Sequence, residues 1–102
     1  MIRKLANYRI DPESLEEVER AIEDFVSAIG REEPETVYEA YRITDDVSFV
    51  HLMAFPNREA ERAHQVAPHT TRFVDILYPY CEEPPSFLDV TLVKSSGSNE
   101  SS

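Results

Sequence analysis

The stretch Val47 to Phe55 (VSFVHLMAF) constrains this 102-residue chain more than any other. Side chains of a strand alternate between its two faces, so Phe49, His51, Met53 and Phe55 share one face and Val50, Leu52 and Ala54 the other. Both sets are almost wholly apolar. A strand of this kind has to be covered on both sides.

The flanking sequence supplies cover for one side. Asp11-Pro12 is a helix start, with Asp11 as N-cap and Pro12 preset for the first turn. Leu15, Val18, Ile22, Phe25 and Ile29 then recur at 3-4-3-4 spacing and fall on one helical face, and Gly30 is the expected stop. A second helix is expected from Arg58 towards Ala67, capped by Asn57 and interrupted by Pro68. A further helical stretch runs from about Thr70 to Tyr78, and Pro79 stops it. The remaining strands are Leu5–Ile10, Thr36–Ile43 and Phe87–Val93, with a turn at Thr44-Asp45-Asp46.

The order β-α-β-β-α-β predicts an α+β, ferredoxin-like protomer with an antiparallel sheet. Right-handed crossovers place both helical segments on one side of that sheet. The other side is left bare although Val47–Phe55 is apolar there too, so a two-fold partner is expected to shield it, giving a homodimer. Residues 1–94 form the expected domain. The Ser-rich stretch 95–102 has nothing to bury and is expected to be a disordered tail.

Charge narrows the function classes. Ten Lys+Arg against twenty Asp+Glu give a net charge of −10, which disfavours nucleic acid and anionic membrane as partners. Asp11 to Glu39 holds eleven acids against only Arg20 and Arg31, and reads as a solvated face. No apolar run reaches the roughly 20 residues of a membrane span. The N-terminus lacks the apolar segment of a secretory signal, and lone Cys81 has no internal disulfide partner, so a cytoplasmic location is expected. With two glycines, Gly30 and Gly97, there is no phosphate-binding loop, so nucleotide cofactors are not expected.

The run FVHLMAFPNREAERAHQVAPHTTRFVDILYPYCEEPPSFLDVTLV, with YEAYRITDD before it, resembles the antibiotic biosynthesis monooxygenase family of dimeric α+β-barrel proteins. The likeness spans roughly residues 5 to 94. It implies a homodimer whose two sheets share a barrel, and a small pocket between helices and sheet. Its characterised members oxidise phenols or quinols with dioxygen, using neither metal nor flavin. A separate branch degrades haem with a strand Asn, a helix Trp and a His ligand. Asn7 matches the first of these, but the chain has no Trp, His64 stands at that position and Val74 at the ligand position, so haem degradation is disfavoured.

Cofactor-free oxygenation requires a base, a donor for the oxyanion and a dry pocket. His51, His64, His69 and Asn7 are the expected catalytic residues. Tyr8, Tyr41, Phe49, Met53 and Phe73 are expected to bind a small aromatic or quinol-like substrate; Tyr38 is a further strand tyrosine able to line a pocket. Each has a plainer explanation: packing for His51 and the strand tyrosines, a capping or exposed role for His64, a local backbone bond for His69, and a sheet-edge amide for Asn7. Cys81 reads as buried or inert. Metal ligation is disfavoured, because His64 and His69 are five apart across Pro68 and no local carboxylate cluster completes a site. The alternative to an enzyme is a non-catalytic small-ligand-binding or stress-related protein of the same fold, distinguishable by whether quinols provoke oxygen uptake above autoxidation.

Overall fold

The computed structural model describes residues 1–97; of the expected tail at 95–102, positions 98–102 lie outside them. The elements are β1 (Ile2–Arg9), a 3-10 turn at Pro12–Ser14, α1 (Leu15–Glu32), β2 (Val37–Arg42), β3 (Ser48–Phe55), α2 (Arg58–Val66), α3 (Pro68–Leu77), a second 3-10 turn at Tyr78–Tyr80, and β4 (Ser86–Val90). The sheet order is β2-β3-β1-β4 with every neighbouring pair antiparallel, which is the ferredoxin-like arrangement. The most apolar strand, β3, and the first strand occupy the centre. No helix among the described residues is long and apolar enough to cross a membrane.

Local chemistry sets the element ends. Asp11 Oδ1 accepts the Glu13 amide at 3.2 Å, and Pro12 opens the 3-10 turn that leads into α1. Gly30 does not stop α1, contrary to expectation: no glycine has positive φ, and the helix continues to Glu32. Its last turn closes by a 2.7 Å bond from the Glu33 amide to the Ile29 carbonyl. Pro34 follows, and the restriction it places on Glu33 ends the helix there. Asn57 caps α2 by accepting the Ala60 amide at 2.9 Å. Ala67 is extended before Pro68, which takes the first position of α3, so that helix starts two residues earlier than expected. The last strand is shorter than expected: β4 ends at Val90, leaving Leu92 and Val93 exposed beyond it.

The core lies between the helices and one sheet face. Val18, Ile22, Phe25 and Ile29 of α1 pack with Tyr8, Phe49, Phe73 and Leu77. The rings of Phe25 and Phe73 stack at 4.2 Å and bind α1 to α3. The opposite sheet face is bare in a single chain. Leu5 there pairs in register with Leu52 on one side and Leu88 on the other, and Leu52, Leu88 and Val90 are all exposed. On that face of β3 Ala54 is buried and Val50 half-buried, so the expectation that both faces of β3 are buried holds in full, within one chain, only for the face towards the helices.

Candidate functional site

Between the sheet and the helices lies a cavity of about 370 Å³ whose walls include Tyr8, Tyr38, His51, His64, Thr70 and Phe73. The alternation of β1 and β3 puts Ala6 and Tyr8 beside His51 and Met53 on its floor, and α2 and α3 supply His64, Thr70 and Phe73. The surroundings are largely apolar, as expected of a small-molecule site.

His51 is 1% exposed. Its Nε2 is 2.8 Å from the Tyr8 hydroxyl and its Nδ1 is 2.8 Å from the Tyr38 hydroxyl. Burial pushes its pKa down to about 4, so the ring is neutral at pH 7. A neutral imidazole has one donor and one acceptor nitrogen, so one tyrosine donates to it and the other accepts from it. Burial also raises both phenols above their ordinary pKa, and the nearby Glu33 raises Tyr38 further. Both ring nitrogens of His51 are engaged, which leaves it no lone pair for a substrate.

His64 is placed differently. Its Nδ1 is 2.9 Å from Glu33 Oε2 and 3.1 Å from Oε1, and its Nε2 has no hydrogen-bond partner among the described residues. Glu33 Oε2 is also 2.5 Å from Nε2 of His69, and Thr36 Oγ1 donates to Glu33 Oε1 at 3.0 Å. Burial opposes ionisation of Glu33, but its bonds to His69 and His64 outweigh that and hold the carboxyl below its ordinary pKa. A carboxylate only accepts, so the proton of His64 sits on Nδ1 and the lone pair on Nε2. Thr70 contributes a buried hydroxyl with no partner, a polar atom left for a ligand. At the other end of the cavity, Lys4 Nζ bridges Glu61 at 3.1 Å and Asp89 at 2.6 Å.

Of the expected residues, His51, His64, Tyr8, Met53 and Phe73 meet at this cavity. His69 lies behind its wall, tied to Glu33 rather than to a local backbone group. Phe49 is buried but does not line the cavity; it stacks on Tyr8 at 5.4 Å. Tyr41 is exposed and donates to Glu39. Asn7 is exposed on the far face, because Ala6 and Tyr8 on either side of it point to the helices. Cys81 is part-buried, its thiol facing the Leu77 carbonyl and its pKa raised by burial.

Sequence reasoning missed Glu33, Thr70 and Lys4 altogether. Alternation along β1 would have found Lys4, two residues from Ala6, but no local signal marks Glu33. The spacing argument against a metal cluster also fails. α2 and α3 meet at an angle at Ala67, and Glu33 arrives from the end of α1, so that one ligand atom each from Glu33, His64 and His69 fall within 4.8 Å of one another.

The sequence model of the antibiotic biosynthesis monooxygenase family matches residues 1–76. The chain belongs to this family. Its fold agrees with that membership. A crystal structure of an antibiotic biosynthesis monooxygenase is similar with a TM-score of 0.83 at 23% identity, over 92% of this chain and all of the other. A Mycobacterium tuberculosis protein is similar with a TM-score of 0.82 at 14% identity, over 94% of this chain and 98% of that one. A conserved Methanosarcina mazei protein gives 0.80 at 15% identity, over 87% and 89%. No curated protein matches the chain.

Proposed function

We propose that this member of the monooxygenase family oxidises a small phenol or quinol with dioxygen in the cavity between sheet and helices, with His64 as the base. The observation that carries the reading is the His64–Glu33 pair: Nδ1 bound to a carboxylate, and Nε2 left with a lone pair on a ring that lines an apolar cavity. Nε2 removes the phenolic proton, and Glu33 stabilises the resulting imidazolium. The phenolate gives an electron to dioxygen, and the radical pair joins at a ring carbon that bears hydrogen, para to the oxygen in a phenol or ortho to it in a quinol, to form a peroxide. That carbon then loses its hydrogen with the outer peroxide oxygen as water. One oxygen atom remains as a quinone carbonyl and the other leaves as water, so the phenolate itself supplies the electrons.

The remaining groups fit the same reading. Thr70 Oγ1 and whichever tyrosine hydroxyl accepts from His51, its own hydrogen then free, are donors for the developing oxyanion. Phe73, Met53 and Phe55 keep water out. His51 holds the two tyrosines and is a positioning residue. A homodimer belongs to this reading too: a second copy covers Leu5, Leu52, Leu88 and Val90, the apolar surface one chain leaves in water, as family membership supports.

An oxygen electrode tests the reaction with a panel of phenols and quinols. At least one substrate is expected to consume oxygen faster than it autoxidises, with His64→Ala losing about 100-fold or more of the excess. An autoxidation-level rate across the panel overturns the reaction and leaves a ligand-binding protein, whereas full activity in His64→Ala overturns His64 as the base.

A further inference from the structure

We infer that Glu33, His64 and His69 form a binding site for a divalent transition-metal ion of the zinc class. Three ligand types that suit such an ion arrive from three separate elements: a carboxylate just past the end of α1, an imidazole on α2 and an imidazole in the first turn of α3. Their ligand atoms are Glu33 Oε2, His64 Nδ1 and His69 Nε2, all within 4.8 Å of one another. A tetrahedral ion at about 2.0–2.1 Å from each ligand separates them by roughly 3.4 Å. From separations of 2.9 and 2.5 Å about Oε2, the carboxylate needs to withdraw by less than about 1 Å to admit an ion of that size. The Glu33 backbone is held by its amide on the Ile29 carbonyl and its carbonyl on the Thr36 amide, so this adjustment falls to the side-chain torsions of Glu33.

The surroundings support this placement. Thr36 donates to Oε1 of Glu33 and so orients the carboxylate from behind, as second-layer partners do in metal sites. The ligand set carries one negative charge with both imidazoles neutral, a suitable complement for a dication. Side-chain exposures of 13% for Glu33 and 14% for His69 leave an approach for an ion and its remaining water ligands. Two imidazole nitrogens select against Mg²⁺ and Ca²⁺, which demand oxygen. Arg31 and Arg72 line the groove beside His69, offset in part by Asp24, and their residual repulsion weakens the binding of a dication.

The site goes beyond the proposed oxidation and does not depend on it. It does bear on the cavity. When Nδ1 of His64 binds the ion, the proton of the neutral ring relocates to Nε2. The nitrogen left for a substrate changes from acceptor to donor.

Calorimetric titration of the chelator-treated full chain with ZnCl₂, in millimolar Mg²⁺ to occupy the acidic surface, tests the site. One saturable Zn²⁺ per chain is expected. His69→Ala and Glu33→Gln are each expected to weaken it about tenfold or more. Co²⁺ should show d–d absorption in the visible that His69→Ala abolishes. Absence of saturable binding, or equal affinity in the wild type and in His69→Ala, overturns the site. His69 is at the edge of the core, so circular dichroism should show that variant folded, and it decides the question if Glu33→Gln does not fold.

Discussion

Nδ1 of His64 lies 2.9 Å from Oε2 of Glu33, although the two residues are separated by 31 positions. The pairing fixes the tautomer of His64. Removing the carboxylate should therefore harm catalysis only while the imidazole is present. For oxygen uptake, Glu33→Gln is expected to lose about tenfold or more, His64→Ala about 100-fold or more, and the double variant no more than His64→Ala alone. Multiplying losses in the double variant would show that Glu33 acts by some route other than His64.

Stability should depend on pH through His51. Its folded pKa is about 4, below the unfolded value of 6.5. As pH falls from 6.5 towards 4, the unfolded chain takes up a proton at this site that the folded chain refuses, so stability falls; below both values the loss is complete. The full effect is about 3 kcal/mol. Tyr8, Tyr38 and Phe73 are the groups around this ring, and none of them carries charge in that window. Urea midpoints across the range should fall more steeply for the wild type than for His51→Gln. Parallel curves would mean that His51 titrates normally when folded.

Thr70 should trade stability against binding. Its hydroxyl is buried without a partner, so the near-isosteric Thr70→Val is expected to stabilise the free protein by about 1 kcal/mol. That corresponds to a Tm higher by roughly 4–8 °C in a domain of this size. In the oxygen-uptake assay, the same variant should lose about tenfold in kcat/KM. A lower Tm would show that the hydroxyl is satisfied in solution.

The bare sheet face gives a third kind of test. Light scattering at micromolar concentration should return twice the chain mass of 11.7 kDa. Leu52→Glu places a charge between Leu5 and Glu39 in the sheet register, and should return a single chain mass. A monomer already in the wild type would remove the dimer and the covered face with it.

Much of the fold is legible in the sequence because it rests on local periodicities. The 3-4-3-4 stripe of α1, the two-faced apolar run of β3 and the Asn57 and Pro68 signals each report neighbours in the chain. Gly30 misleads because a glycine late in a helix only permits a left-handed stop, and here Pro34 decides the end. The site divides along the same line. His51 and Tyr8 follow from strand alternation, and alternation equally turns Asn7 away from the cavity, flanked as it is by inward Ala6 and Tyr8. Glu33, by contrast, sits among eleven acids on a segment whose composition points to water. Nothing within several residues distinguishes it from Glu32 or Glu35. Only the packing of the end of α1 against α2 and α3 selects it.

The arrangement of Tyr8, His51 and Tyr38 carries a directional consequence. Because the imidazole holds a single proton, the hydroxyl at one end of the trio has its hydrogen to spare and the hydroxyl at the other end has only lone pairs. Moving that proton across the ring exchanges the two ends. The inner wall can thus greet an incoming molecule with either polarity, and the guest's own donors and acceptors decide which way round the relay settles.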